Sequence, residues 1–140
     1  MKISARIRSS YGEHEATLTT NDNSHSIAIP PKTTGFGSSA NGGELLLLAL
    51  ATCYGNDIYR EAAKRGITVE QVEVEAEGQF GADGEPATHV TYRAKVVAQA
   101  AEPEIRELMR HTDTVAEIQN TLRNQIPVTL SQIEANSVQT

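Results

Sequence analysis

The chain holds a single cysteine, Cys53, and no tryptophan in 140 residues. One cysteine excludes an intramolecular disulfide framework and suits a reducing compartment. Aromatics make up 4% against 39% hydrophobic residues overall, so the core has to be built mainly from aliphatic side chains. Basic residues are also scarce: 12 Lys and Arg stand against 18 Asp and Glu, a formal charge of −6. Arg6, Arg8, Arg60, Lys64 and Arg65 are interleaved with acids and form no stripe. That balance argues against a nucleic-acid partner, because affinity for a phosphate backbone needs clustered cations. Long apolar runs are missing as well. The longest, Leu45 to Thr52, is far short of the ~20 residues that span a bilayer. The opening MKISARIRSS has no apolar stretch of the kind a secretion signal needs. A cytoplasmic protein with no membrane and no nucleic-acid partner is the expectation.

There is no internal repeat, low-complexity tract or linker, so residues 1–140 read as one domain. Residues 2–8 alternate apolar and polar, as a half-buried strand does. Glu15–Thr20 can return beside it, and Ser24–Ile29 gives a third strand stopped by Pro30 and Pro31. Together these predict a meander of three antiparallel strands. A Gly- and Ser-rich loop covers residues 33–43, and at Glu44 the composition changes abruptly. From Glu44 to Arg65 good helix formers dominate, with Lys64 and Arg65 suited to the negative end and Gly66 to the position just beyond it. The first half of this helix is apolar on every side, which predicts burial all round; the second half is amphipathic and is expected to reach solvent. A helix buried all round in so small a domain calls for cover from a second subunit, an argument for a homodimer.

Thr68–Phe80 and His89–Val97 alternate on either side of a Gly81–Gly84 turn, which predicts a long hairpin with one wet face. Pro103 can open a helix that places Ile105, Leu108 and Met109 on one face. A second short helix over Val115–Asn124 and a closing strand over 126–133 complete the pattern. Strands in runs and helices in runs give an α+β fold, with antiparallel sheets around a buried central helix.

Cys53 stands in the middle of that helix. A free cysteine is most simply a small core hydrophobe. Asn56 and Asp57 share its helical face, however, and a carboxylate there raises a thiol pKa and opposes the reactive thiolate. The helix N-terminus is over two turns away, so activation needs a cation from elsewhere.

The segment Gly43-Glu44-Leu45-Leu46-Leu47-Leu48-Ala49-Leu50-Ala51-Thr52-Cys53 resembles the opening of the central helix in OsmC/Ohr proteins, and the order of predicted elements resembles theirs over nearly the whole chain. The resemblance implies an intertwined homodimer with its active site at the subunit interface. It also implies reduction of organic hydroperoxides or peroxide, in which one cysteine attacks the peroxide and a second resolves the sulfenic acid. Carried over residue by residue, Cys53 falls on the attacking position. Glu44 falls on a family glutamate nine residues earlier, although the Ohr branch has it one position before, at Gly43 here. First-turn stabilisation of the helix is the structural alternative for Glu44. The resolving position falls on Ala116, so the intramolecular disulfide cycle is impossible and an external thiol, or Cys53 of another molecule, has to take that part. Arg8 is the nearest candidate for the family's arginine; its plainer reading is a solvated strand charge.

Gly35-Phe36-Gly37-Ser38-Ser39-Ala40 fits a dinucleotide-binding pattern formally, but intervening residues separate it from both strand and helix. His14, His25, His89 and His111 show no paired ligand spacing, and neither a metal nor another cofactor is expected. His111 precedes the helix of the resolving position and could act as the missing basic partner of Cys53; otherwise it is a helix C-terminal histidine. Two functions are carried forward. One is a thiol-dependent hydroperoxide reductase in which Cys53 attacks and an external thiol recycles it. The other is a non-catalytic dimer that binds a small apolar molecule at its interface.

Overall fold

In a computed structural model, which describes residues 1–138, the chain has the element order β1 (Ile3–Ser10), β2 (Glu13–Thr20), β3 (Asn23–Ile27), α1 (Gly42–Lys64), β4 (Thr68–Gln79), β5 (Thr88–Gln99), α2 (Glu102–Val115) and α3 (Glu117–Arg123). This is the α+β arrangement with antiparallel sheets that the patterning predicts. The chain forms two compact units, one ending at Leu48 and the other beginning at Ala49.

The first unit is the three-strand meander. β1 pairs antiparallel with β2, Ile3 facing Thr20 and Ser10 facing Glu13, and β2 pairs with β3. Ala16 is its buried hydrophobic residue, while Ile3 and Ile7 on edge strand β1 are 64% and 66% exposed. The loop after β3 is pinned: Pro31 bridges Ser38, and Ser39 N–H donates to the Pro30 carbonyl at 2.9 Å. At the start of α1, Asn41 and Glu44 cap each other. The Glu44 amide donates to Asn41 Oδ1 at 2.8 Å and the Asn41 amide to Glu44 Oε1 at 3.0 Å, which satisfies two otherwise orphaned donors.

The second unit packs the later part of α1, the β4–β5 hairpin, α2 and α3. Tyr54, Ile58, Ala62 and Leu108 form its core, with Val69, Val72, Val74, Tyr92, Ala94 and Val96 of the hairpin laid against them. A register shift between Val69 and Gln71 places Val72 and Val74 on the core side with Val69, although strict alternation would turn them outward. Full burial of Ile58 and Leu108 stabilises the unit by roughly 1.5–3 kcal/mol each. α1 ends as its sequence predicts. Gly66 adopts φ +68°, its amide donates to the Ala63 carbonyl and that of Ile67 to Ala62, which closes the last turn.

Two expectations are corrected. Burial along α1 departs from the pattern: Leu45 and Leu48 are exposed while Leu50 is buried, and Tyr54, Asp57, Ile58, Glu61 and Ala62 of the later part are buried as well. The apolar first half is covered only in part among the described residues, with Leu46 and Leu47 half-buried, and Asp57 and Glu61 of the second half are buried against the exposed cations Arg60 and Lys64. The closing strand over 126–133 does not form; the described residues from 126 onward carry neither helix nor strand. Ile126, Val128 and Leu130 are 58%, 99% and 80% exposed. Alternation makes a segment ready to pair, but a ladder needs a second edge, and none of the described strands pairs with it. Among the described residues no helix is long and apolar enough to cross a membrane.

Candidate functional site

Cys53 is partly exposed on α1, so it is not a sealed core thiol. Helical periodicity places Asp57 one turn on and Arg60 one turn beyond that, on the same face. The start of α3 closes over this face and delivers Glu117. Cys53 Sγ lies 3.5 Å from Asp57 Oδ2 and 3.7 Å from Glu117 Oε2, with the thiol as donor. The Ile118 backbone amide acts in the opposite sense and favours the thiolate. Each carboxylate gives its second oxygen to one arginine nitrogen: Arg60 Nη1 is 3.1 Å from Asp57 Oδ1 and 2.7 Å from Glu117 Oε1. Arg60 also donates through Nε to Glu61 Oε2 at 2.8 Å.

The electrostatics follow from this crowding. Burial pushes the Cys53 thiol pKa up, and the carboxylates of Asp57 and Glu117 push the same way against the Ile118 amide. The resting sulfur is a thiol held by acceptors. Asp57, the more buried carboxylate, has its pKa raised by desolvation and by the neighbouring Glu117. Glu117 is held below the usual carboxylate range by its own amide at the start of α3, by a hydrogen bond from Asp57 and by Arg60. Glu61 is brought down to about 2, chiefly by Arg60, then Lys64, with a smaller contribution from His111.

Of the residues singled out in the sequence, Asp57 touches Cys53 directly, and His111 comes next in connectivity. Its Nε2 lies 3.0 Å from Glu61 Oε1, and Glu61 holds Arg60, so it reaches the cluster at second hand. Ala116 is fully buried and extended, and forms the hinge between α2 and α3. Its successor Glu117 is the residue that faces the sulfur. Arg8 and Glu44 belong to the first unit: Arg8 lies on exposed β1 opposite Glu15, and Glu44 caps α1. Asp113, next to His111 in sequence after Thr112, points elsewhere. It accepts from the Tyr92 hydroxyl and from Arg123 Nη2 at 2.7 Å, and so ties α2 and α3 to the hairpin. Tyr54, stacked 5.0 Å from Tyr92 and donating to the Met109 carbonyl, has its phenol pushed up to about 12 by burial.

Arg60 and Glu117 were not picked out from the sequence. Arg60 carried a signal, since it shares the Cys53–Asp57 face. Glu117 carried none beyond standing next to the resolving position. One sulfur and two carboxylate oxygens within 4.8 Å of one another are close enough to share a cation. Arg60 holds the second oxygen of each carboxylate, so a cation bound there would share both of them with the guanidinium.

The sequence profile described as OsmC-like protein matches residues 35–131. No curated protein sequence matches the chain. Among solved structures, the chain is similar to an OsmC-like protein from Mycoplasma pneumoniae (20% identity, 89% of this chain and 87% of that one, TM-score 0.59). It is also similar to an organic hydroperoxide resistance protein OsmC from Legionella pneumophila (19%, 88% and 90%, TM-score 0.57). A third is an OsmC-like hydroperoxide resistance protein from Jannaschia sp. CCS1 (10%, 97% and 93%, TM-score 0.54). At these identities the likeness is one of fold.

Proposed function

The chain belongs to the OsmC-like protein family, and from that premise we propose that it reduces organic hydroperoxides with Cys53 as its only redox sulfur and an external thiol as reductant. The observation that carries this reading is the environment of Cys53: a partly exposed sulfur with acceptors for its proton and an amide donor for the thiolate. The sulfur attacks the terminal peroxide oxygen, the O–O bond breaks, and Cys53 becomes a sulfenic acid as the alcohol leaves. A small thiol condenses with the sulfenic acid, releasing water and forming a mixed disulfide. A second equivalent of thiol displaces Cys53 as a thiol. A reducing cytoplasm supplies such thiols. Residues 1–140 act as one OsmC-like domain, and two copies of the chain associate, which covers Leu45, Leu48 and the alternating apolar residues after Gln125.

Following cumene hydroperoxide consumption with dithiothreitol as reductant tests the reading. Turnover that disappears in Cys53→Ser supports it; equal consumption by wild type and Cys53→Ser sinks it. One observation favours the alternative, a non-catalytic dimer that binds a small apolar molecule at its interface: two carboxylates disfavour the thiolate. A wild type that consumes no peroxide leaves that alternative standing.

A further inference from the structure

Both carboxylates beside Cys53 have the same division of labour, one oxygen on Arg60 and one toward the sulfur, but they differ in access. The Asp57 side chain is 10% exposed and that of Glu117 is 58% exposed. A peroxide reaching the sulfur from solvent arrives on the Glu117 side. Two proton transfers have to be managed in the attack. The thiol has to lose a proton, and the leaving alkoxide, a far stronger base than a carboxylate, has to gain one. With no histidine or lysine among the hydrogen-bond partners of Cys53, the carboxylates are the groups placed to do both.

Resting on the peroxide-reducing reading above, we propose that Glu117 is a catalytic proton relay: it takes the Cys53 proton as the sulfur attacks and returns it to the leaving oxygen. The step balances within the site. Cys53–SH passes its proton to Glu117 Oε2, and the sulfur forms a bond to the terminal oxygen, which keeps its own hydrogen. The O–O bond breaks, and the alkoxide leaves as the alcohol with the proton from Glu117. The sulfur is oxidised by two electrons, the peroxide is reduced by two, and Glu117 ends as the carboxylate it began as. Arg60 positions it by fixing Oε1, which leaves Oε2 to face the sulfur. Asp57 and Arg60 of α1 and Glu117 of α3 are the charged groups facing the thiol, with Glu61 and His111 behind Arg60. Asp57 is too enclosed to follow a substrate oxygen.

A comparison of two reactions of the same sulfur tests the relay. Iodoacetamide alkylation at pH 7 needs the thiolate but releases iodide, which takes no proton. Single-turnover oxidation by cumene hydroperoxide needs both transfers. In Glu117→Gln a negative charge near the sulfur is gone, so alkylation holds or quickens, while oxidation falls on the order of 10²-fold. Asp57→Asn also quickens alkylation, and its oxidation falls less than that of Glu117→Gln. The relay is overturned if Glu117→Gln oxidises at the wild-type rate, if both of its reactions slow together, or if the divergence appears in Asp57→Asn instead. A wild type that is not oxidised at all removes the hydroperoxide-reducing reading itself, and with it the relay. Each failure is thus distinct.

Discussion

Arg60 Nη1 lies 2.7 Å from Glu117 Oε1, and this ion pair fastens the start of α3 to the cysteine-bearing face of α1. The same nitrogen serves Asp57, so a single guanidinium offsets both charges that oppose a Cys53 thiolate. Arg60→Met leaves those carboxylates uncompensated, and iodoacetamide alkylation at pH 7 falls about 3- to 10-fold, the equivalent of roughly half to one pKa unit. Arg60→Lys recovers part of the rate, because an ammonium cannot reproduce the planar set of donors. The stability cost is held to about 1 kcal/mol by the exposure of Arg60 to screening solvent. An unchanged alkylation rate in Arg60→Met would mean that Asp57 and Glu117 do not govern the thiol.

Leu108 is fully buried on α2 against Tyr54, Ile58 and Ala62. Leu108→Ala leaves a cavity that the rigid hairpin side cannot fill, and should cost about 2–5 kcal/mol in urea unfolding. Leu122, 40% exposed on α3, offers the control: its replacement by Ala costs a smaller amount. Equal losses at the two positions would contradict the placement of the core.

How much of this was legible in the sequence depended on whether the deciding interaction was local. The strands, the hairpin, α1 and its Gly66 stop follow from period, propensity and termination signals within a few residues. Burial along α1 did not, because the sequence around Leu45 carries no record of what covers it, and the burial of Glu61 depends on its partners Arg60, Lys64 and His111. The Cys53–Asp57 relationship was readable as one turn of helix. Its partner Glu117 stands 64 positions away, and only the packing of α3 on α1 brings the two together. Asp113, two residues from His111, is held instead by Tyr92 and Arg123, contacts that only the packing of α2 on the hairpin and α3 creates.

The residues after Gln125 test the proposed association of two copies. Val128 and Leu130, 99% and 80% exposed, carry strand-like alternation with no ladder among the described residues, and edge strand β1 exposes Ile3 and Ile7. Replacing Val128 and Leu130 together by Asp should convert a dimer into a monomer in sedimentation velocity at micromolar concentration. The secondary structure of each unit, measured by far-UV circular dichroism, should persist. A wild type that sediments as a monomer would end the dimer proposal, and a dimer unaffected by the substitutions would exclude these residues from the interface.

Glu61 sets the acid limit of stability. Its folded pKa of about 2 lies below the ordinary value of 4.5, so the folded state binds fewer protons than the unfolded chain between those values. The stabilisation is therefore fully present above 4.5 and is lost as pH falls from 4.5 toward 2. Glu61→Gln removes the titrating group. Its urea midpoint should lie below that of the wild type at pH 7, because Arg60 and Lys64 lose their shared acceptor, and should change less steeply below pH 4.5. Parallel midpoint curves for wild type and Glu61→Gln across the acid range would show that Glu61 is not the group whose protonation loosens α1 from α2.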